Sequence, residues 1–189
     1  MATWADFKKE IKVSEGSISH MYLDTVGKVT VGVGNMLPNV AAAQKLGFVV
    51  RKTPSKKATA DQIKTDFETI SKQTKGLVAS KYKKHTLLEL PATAIDKLLD
   101  SRIDGFKKQL KVKFPKFSTY PLTVQFALTD MAFNLGANGV VTKFPTFTKH
   151  IKAEDWKKAA DESNRPQVSK TRNATVKKWL LDAVKKTGK

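Results

Sequence analysis

The stretch EGSISHMYLDTVGKVTVGVGN, from Glu15 to Asn35, decides the predicted fold because the periodicity of the sequence changes within it. Before this stretch, apolar residues recur at helical spacing from Trp4 to Ile11, and Gly16 is a plausible end for that helix. Within the stretch, two short alternating runs flank a glycine-containing turn at residues 26–28, which is typical of a β-hairpin. We therefore predict a helix that ends at Glu15, followed by a small antiparallel sheet.

The same stretch contains two carboxylates and a hydroxyl that are candidates for catalysis. Glu15 closes the predicted helix, Asp24 precedes the turn, and Thr30 lies on the run that follows it. Cleavage of a glycosidic bond needs one carboxyl group to protonate the leaving oxygen and another to assist the attacking water. The spacing alone is weak support, because most of the 17 acidic residues are expected at the solvated surface. Their placement around a helix end and a hairpin makes these residues candidates for the acid, the base and the water-binding group of a glycosidase.

The rest of the sequence predicts an α+β protein in which helices dominate after the hairpin. One more strand is expected at residues 46–50, an exposed basic loop at 52–57, and no further sheet beyond about residue 50. Capping signals and apolar periodicity predict a helical turn at residues 38–46 and helices at residues 59–75, 91–110, 121–136, 145–151, 154–163 and 172–186. We expect one domain, 1–189, with a small β lobe at 15–58, a linking helix at 59–80, and a helical lobe at 81–189 together with 1–14.

Motif composition excludes several classes of enzyme. The chain has no cysteine, and its three histidines, His20, His85 and His150, are too far apart in sequence to suggest a metal site. It contains no metalloprotease helix motif, no phosphate-binding loop, and no serine-hydrolase elbow. The sequence therefore predicts chemistry without metal or cofactor.

The formal charge of +18 predicts attraction to polyanions. Only four of the 35 basic residues are arginines, and direct readout of bases relies on planar arginine side chains. Lysines along the whole chain indicate a general affinity for an anionic surface more than specific recognition of nucleic acid. A solvated surface without a partner is the simpler alternative, and a nucleic-acid-binding protein is a further one.

Several short motifs resemble those of the phage-type lysozymes, a family of muramidases. They are Glu15-Gly16, Asp24-Thr25, Thr30-Val31-Gly32-Val33-Gly34, the helix motif Ala127–Gly136, the run 155–160 and the late pair Arg172-Asn173. The resemblance implies a lysozyme-like fold, with a small antiparallel β-sheet lobe joined by a long helix to a mainly helical lobe. Asn35 departs from the T-even phage enzyme, which has a histidine there. Residues 48–57 and 81–84 look more like the lysozyme-type toxin domains of bacteriocins and secreted antibacterial effectors.

The same resemblance implies roles for six residues. Glu15 would be the general acid, Asp24 would act on the nucleophilic water, and Thr30 would help to hold that water. Phe133 and Asn134 match a pair that lines the substrate groove, although core packing is an equally good interpretation of Phe133. Arg172 matches an arginine that contacts the catalytic glutamate, and an ordinary surface arginine is its alternative.

The implied activity is endo-acting, inverting hydrolysis of the β-1,4 bond between N-acetylmuramic acid and N-acetylglucosamine in bacterial peptidoglycan. The implied partners are peptidoglycan, anionic envelope polymers at the basic surface, and an immunity protein or delivery machinery; a monomer is expected. The N-terminal sequence lacks the apolar segment of a Sec signal, so we expect synthesis in the cytoplasm and holin- or secretion-system-dependent delivery to the periplasm or wall of a target bacterium. The alternative function is a non-catalytic module of the same fold that binds cell wall or polyanions.

Overall fold

The computed structural model describes residues 2–188 and confirms the predicted α+β class. The α-helices are α1 Trp4–Glu15, α2 Val40–Gln44, α3 Ala60–Ser71, α4 Ala92–Lys113, α5 Leu122–Lys143, α6 Pro145–Lys152, α7 Trp156–Asp161 and α8 Lys170–Thr187. The strands are β1 Ile18–Leu23, β2 Val29–Gly32, β3 Asn35–Met36, β4 Val49–Val50, β5 Thr53–Lys57 and β6 Leu88–Glu89. Two 3₁₀ helices occupy Ala79–His85 and Phe117–Thr119.

The chain divides into two compact units, which are described separately. The sheet unit is Lys12–Ser101 and contains all six strands of the described chain. The helical unit combines the residues up to Ile11 with those from Arg102 onward. Helices α1 and α4 each continue from one unit into the other, so the chain passes between the units without leaving helical conformation.

The predicted hairpin is confirmed and forms the first sheet. Strands β1, β2 and β3 lie side by side in antiparallel order, and Tyr22 of β1 is directly opposite Thr30 of β2. Helix α1 ends at Glu15 because Gly16 adopts a left-handed conformation, with φ of +78°, that favours glycine. The sequence therefore located both the helix end and the hairpin that follows it.

A second sheet corrects the predicted extent of β-structure. Strand β4 pairs on one side with β5 and on the other with β6, both antiparallel. Residues 53–57 thus form an exposed edge strand where we expected a basic loop, and sheet returns at residues 88–89 where none was expected. The predicted strand at 46–50 is shortened to its last two residues. This sheet forms because β4 pairs with β6, which is far from it in sequence, and the local periodicity of a sequence does not reveal such pairing.

The predicted linking helix at 59–80 is wrong in length and in placement. Helix α3 begins with the expected capping box, in which Thr59 and Gln62 exchange hydrogen bonds, but it ends at Ser71. It lies wholly within the sheet unit and packs against β1 and α2. Residues 81–101 also belong to the sheet unit, because β6 pairs with β4 there.

The helical unit is built around α5, whose side chains are buried on most sides, as its apolar sequence predicts. Gly136 has φ of +70° and breaks the helix, so the predicted end at 136 is confirmed and a second helical segment follows it directly. The rings of Phe7 and Phe126 stack with centroids 5.2 Å apart, and Trp179 lies against both.

Among residues 2–188, no helix combines the length and the apolar character needed to cross a membrane.

One buried histidine makes the stability of the sheet unit depend on pH. Nε2 of His20 on β1 donates to the carbonyl oxygen of Ala79, 2.9 Å away, so the ring is protonated at Nε2. Burial lowers the pKa of His20, the bond to Ala79 opposes this shift, and the positive charges of Arg51 and Lys83 add to the lowering. The unfolded chain therefore binds a proton at His20 at a higher pH than the folded chain does.

We expect the free energy of unfolding to fall as the pH is lowered from 7 to 5, through the ordinary pKa of histidine near 6.5. The variant His20→Gln keeps a side-chain N–H donor for Ala79 but does not titrate. Urea unfolding at a series of pH values should give a flatter dependence for this variant than for the unaltered chain. Equal slopes for the two proteins would contradict the assignment.

Candidate functional site

Glu15 lies at the junction between α1 and the first sheet. It is the last residue of the helix, its side chain is exposed, and β1 begins at Ile18, after the turn at Gly16. The backbone at Glu15 is preceded by a regular helix and is followed, after a short turn, by a paired strand. The backbone of Glu15 is therefore fixed while its side chain remains accessible to a ligand.

Asp24 is held by its own turn through a single carboxylate oxygen. Oδ1 accepts hydrogen bonds from the backbone N–H groups of Val26, at 3.0 Å, and Lys28, at 2.8 Å. The backbone of Asp24 also bonds to Lys28 and Gly27 across the turn. Within residues 2–188, Oδ2 makes no hydrogen bond, and the side chain is half-buried. The carboxylate is thus oriented by one oxygen while the other can accept a proton or a hydrogen bond from a ligand.

Thr30 is linked to Asp24 through the peptide groups of Lys28. Its side chain is buried, and Oγ1 donates to the carbonyl oxygen of Lys28 at 3.0 Å. The backbone N–H of Lys28 donates to Oδ1 of Asp24. Because the Thr30 proton is used in this way, its oxygen can act toward a ligand or water as a hydrogen-bond acceptor.

Phe133 and Asn134 occupy different environments in the helical unit. Phe133 is buried, its ring lies 4.9 Å from that of Phe106, and the guanidinium of Arg102 lies 4.9 Å from its centroid. These contacts favour the packing interpretation of this ring. Asn134 is exposed, and its Oδ1 accepts a hydrogen bond from the side chain of Gln167 at 3.4 Å.

Arg172 belongs to a buried ionic cluster that the sequence analysis missed. Its Nε donates to both carboxylate oxygens of Asp130, at 3.2 and 2.9 Å. Nη2 of Arg165 donates to the same carboxylate at 2.7 Å, and the Arg165 side chain is fully buried. The signal for this cluster was a single acidic residue within the most apolar helix, together with two of the chain's four arginines. The interpretation of Arg172 as an ordinary surface arginine is wrong, because its side chain is only 10% exposed.

The six candidate residues divide between the two units. Glu15, Asp24 and Thr30 are close in sequence within the sheet unit, and the turn joins Asp24 to Thr30 through hydrogen bonds. Phe133, Asn134 and Arg172 belong to the helical unit. Over the part of the chain that the structure describes, no group of three or more histidine, aspartate and glutamate side chains is arranged to hold a metal ion.

Comparison with known proteins does not assign the chain to a family. No protein-family model matches it, and no curated protein matches it. The similarity to phage-type lysozymes therefore consists of the motifs described above, and the functional argument depends on the local geometry of those residues.

Removing the Asp130 carboxylate should strongly destabilise the helical unit. The variant Asp130→Asn removes the negative charge that pairs with Arg165 and Arg172, and breaking a buried ion pair in this way costs about 3–5 kcal/mol. Urea unfolding followed by tryptophan fluorescence measures the change, because Trp156 and Trp179 lie in this unit.

The matched control for this variant is Asp161→Asn. Asp161 pairs with Lys177 at 2.9 Å, but both side chains are about half exposed, so solvent screens their interaction. The control should shift the unfolding midpoint far less than Asp130→Asn. Similar shifts for the two variants would show that the buried cluster does not stabilise the unit.

Proposed function

We propose that the protein is a muramidase that hydrolyses the β-1,4 bond between N-acetylmuramic acid and N-acetylglucosamine in bacterial peptidoglycan. The observation that supports this most is the Asp24 carboxylate, oriented through Oδ1 by two backbone amides and able to accept through Oδ2. A hydroxyl bound to the same turn and an accessible glutamate at the end of the preceding helix complete the set of groups that glycosidic hydrolysis needs.

In the proposed inverting mechanism, Glu15 gives its proton to the glycosidic oxygen as the bond from that oxygen to the anomeric carbon breaks. A water molecule attacks the anomeric carbon from the opposite face, and Asp24 accepts a proton from it. The Thr30 oxygen accepts the second hydrogen bond of that water, which restricts its orientation. Transfer of the proton from Asp24 to solvent and reprotonation of Glu15 restore the starting state.

The helical unit is proposed to contribute to binding more than to bond cleavage. Asn134 is exposed and has an amide that can bond to a sugar hydroxyl or acetamido group. The burial of Phe133 favours a supporting role for that ring beneath the binding surface. Asp130 orients the guanidinium of Arg172, and the match to the family's arginine is the support for its proposed role in binding.

The basic surface supports a second candidate function, binding to anionic polymers of the bacterial envelope without catalysis. The charge of +18 favours such binding whether or not the protein is also an enzyme. In the muramidase proposal, the same charge keeps the enzyme near its insoluble substrate.

A phage holin or a secretion machine is proposed to deliver the protein to that substrate, and an immunity protein is proposed to protect the producing cell.

The variant Glu15→Gln should lose hydrolysis of purified sacculi by about 10²–10⁴-fold, the usual contribution of general acid–base catalysis. Glu10→Gln is the matched control, because Glu10 is also exposed on α1 and lies one turn and a half before Glu15. Release of new reducing ends measures the rate. Unchanged hydrolysis by Glu15→Gln would rule out the proposed acid, and salt-sensitive binding to sacculi without reducing ends from the unaltered protein would favour the second candidate.

A separate variant, Asp24→Asn, tests the proposed base without removing the turn. The asparagine side-chain oxygen can still accept the two backbone N–H groups, whereas the amide cannot take a proton from water. Hydrolysis of sacculi should fall by about 10²–10⁴-fold while the circular dichroism spectrum and unfolding midpoint stay close to those of the unaltered chain. A variant that is folded and fully active would exclude Asp24 as the base.

A further inference from the structure

The segment that follows α3 combines exposed lysines with exposed aliphatic side chains. Residues 69–88 contain no aspartate or glutamate, although the chain has 17 acidic residues. Two adjacent aliphatic side chains in this segment lie largely in solvent, because Leu77 is 48% exposed and Val78 is 66% exposed. Five exposed lysines precede or follow them in the segment: Lys72, Lys75, Lys81, Lys83 and Lys84. Exposed apolar side chains grouped with charged ones in this way are typical of an interaction surface.

Hydrogen bonds on both sides of residues 77–78 hold the segment in place. The hydroxyl of the buried Tyr82 donates to the carbonyl oxygen of Thr74 at 2.8 Å. Nε2 of His20, on β1, donates to the carbonyl oxygen of Ala79 at 2.9 Å. The exposed aliphatic pair is therefore presented by a backbone that is already ordered, which lowers the entropic cost of binding.

The turn of the first hairpin adds a third aliphatic side chain beside this pair. The side chain of Lys75 lies against Gly27 of the turn, and Leu77 lines the same small cavity as Thr25. Val26, between those two turn residues, is 70% exposed. We call the five lysines, residues 77–78 and Val26 the lysine-aliphatic surface.

The composition of this surface discriminates between possible anionic partners. Residues 69–88 contain no arginine, and their one aromatic residue, Tyr82, is fully buried. The surface therefore lacks the planar arginine side chains and the stacking rings with which proteins bind nucleic acids. A soluble anionic polymer would pair with the lysines but would leave the aliphatic side chains in water.

An anionic lipid bilayer can satisfy both parts of the surface. Its phosphate headgroups attract lysines, and the boundary between headgroups and acyl chains accepts aliphatic side chains. The hairpin turn contributes one carboxylate, Asp24, against the five lysines of the segment, so the positive charge dominates. The charge and the apolar character of the surface thus favour the same partner.

We propose that the lysine-aliphatic surface docks the protein reversibly onto an anionic phospholipid bilayer. Leu77 and Val78 enter the boundary between headgroups and acyl chains, while the surrounding lysines pair with lipid phosphates. The protein attaches to one face of the membrane and does not cross it. This binding requires neither Glu15 nor Asp24, so the proposal goes beyond the muramidase function and can fail or succeed independently of it.

The absence of cysteine from the chain allows a test with a single fluorescent label. Val78→Cys is labelled with a fluorophore whose emission depends on the polarity of its surroundings. Val112→Cys is the matched control, because Val112 is 77% exposed between Lys111 and Lys113 in the helical unit. Vesicles of phosphatidylglycerol and phosphatidylcholine should shift the emission at position 78 to the blue and leave that at position 112 unchanged. Vesicles of phosphatidylcholine alone should shift neither.

Three results of this experiment would overturn the proposal. Equal shifts at the two positions would indicate adsorption without a defined surface, and no shift at position 78 would exclude docking there. A shift at position 78 with soluble polyphosphate as large as that with vesicles would assign the surface to a polyanion in solution instead of a bilayer.

A pair of double variants tests the aliphatic contribution without changing any charge. Leu77→Ser with Val78→Ser should weaken co-sedimentation with the anionic vesicles by about tenfold, because neither side chain then enters the apolar boundary. Val13→Ser with Val112→Ser, at positions that are 82% and 77% exposed, should weaken it by less than about twofold. Both proteins should bind polyphosphate as the unaltered chain does. Equal losses of vesicle binding, or no loss in the first double variant, would contradict the proposed insertion.

Discussion

The candidate site depends on the peptide groups of Lys28. The N–H of this residue orients the carboxylate of Asp24, and its carbonyl oxygen takes the proton of the Thr30 hydroxyl. The same turn sets the register in which β2 lies against β1, because Asp24 N–H also bonds to that carbonyl. One short segment of backbone thus fixes the fold of the hairpin and the directions in which two polar side chains can act.

Electrostatics organises the helical unit in a different way. Asp130 is placed within an otherwise apolar helix, where an isolated carboxylate would be costly, and two arginines from the region around α8 neutralise it. This requirement ties the packing of α5 to the segment that contains Arg165 and Arg172. The orientation of Arg172 therefore follows from the burial of a charge on another helix, and a substitution at Asp130 affects stability as well as any function of that arginine.

Local signals predicted the parts of the fold that short segments determine by themselves. The left-handed Gly16, the capping box at Thr59 and the break at Gly136 each act within a few residues, so the sequence located them correctly. The second sheet and the cluster at Asp130 depend on contacts between residues far apart in the chain, which periodicity does not contain. For the same reason, the sequence suggested Glu15, Asp24 and Thr30 by motif, but the geometry that links Asp24 to Thr30 became visible only with the hydrogen bonds of the turn.

The division of the chain into units has a consequence for the order in which it folds during synthesis. The sheet unit is one continuous segment, Lys12–Ser101, whereas the helical unit needs the residues up to Ile11 together with those from Arg102 onward. Translation at about 5–20 residues per second completes the sheet unit several seconds before α8 emerges from the ribosome. The first residues of α1, including Trp4 and Phe7, must wait for Phe126 and Trp179 before their rings are covered. The aromatic rings of α1 therefore stay uncovered until α5 and α8 have been synthesised.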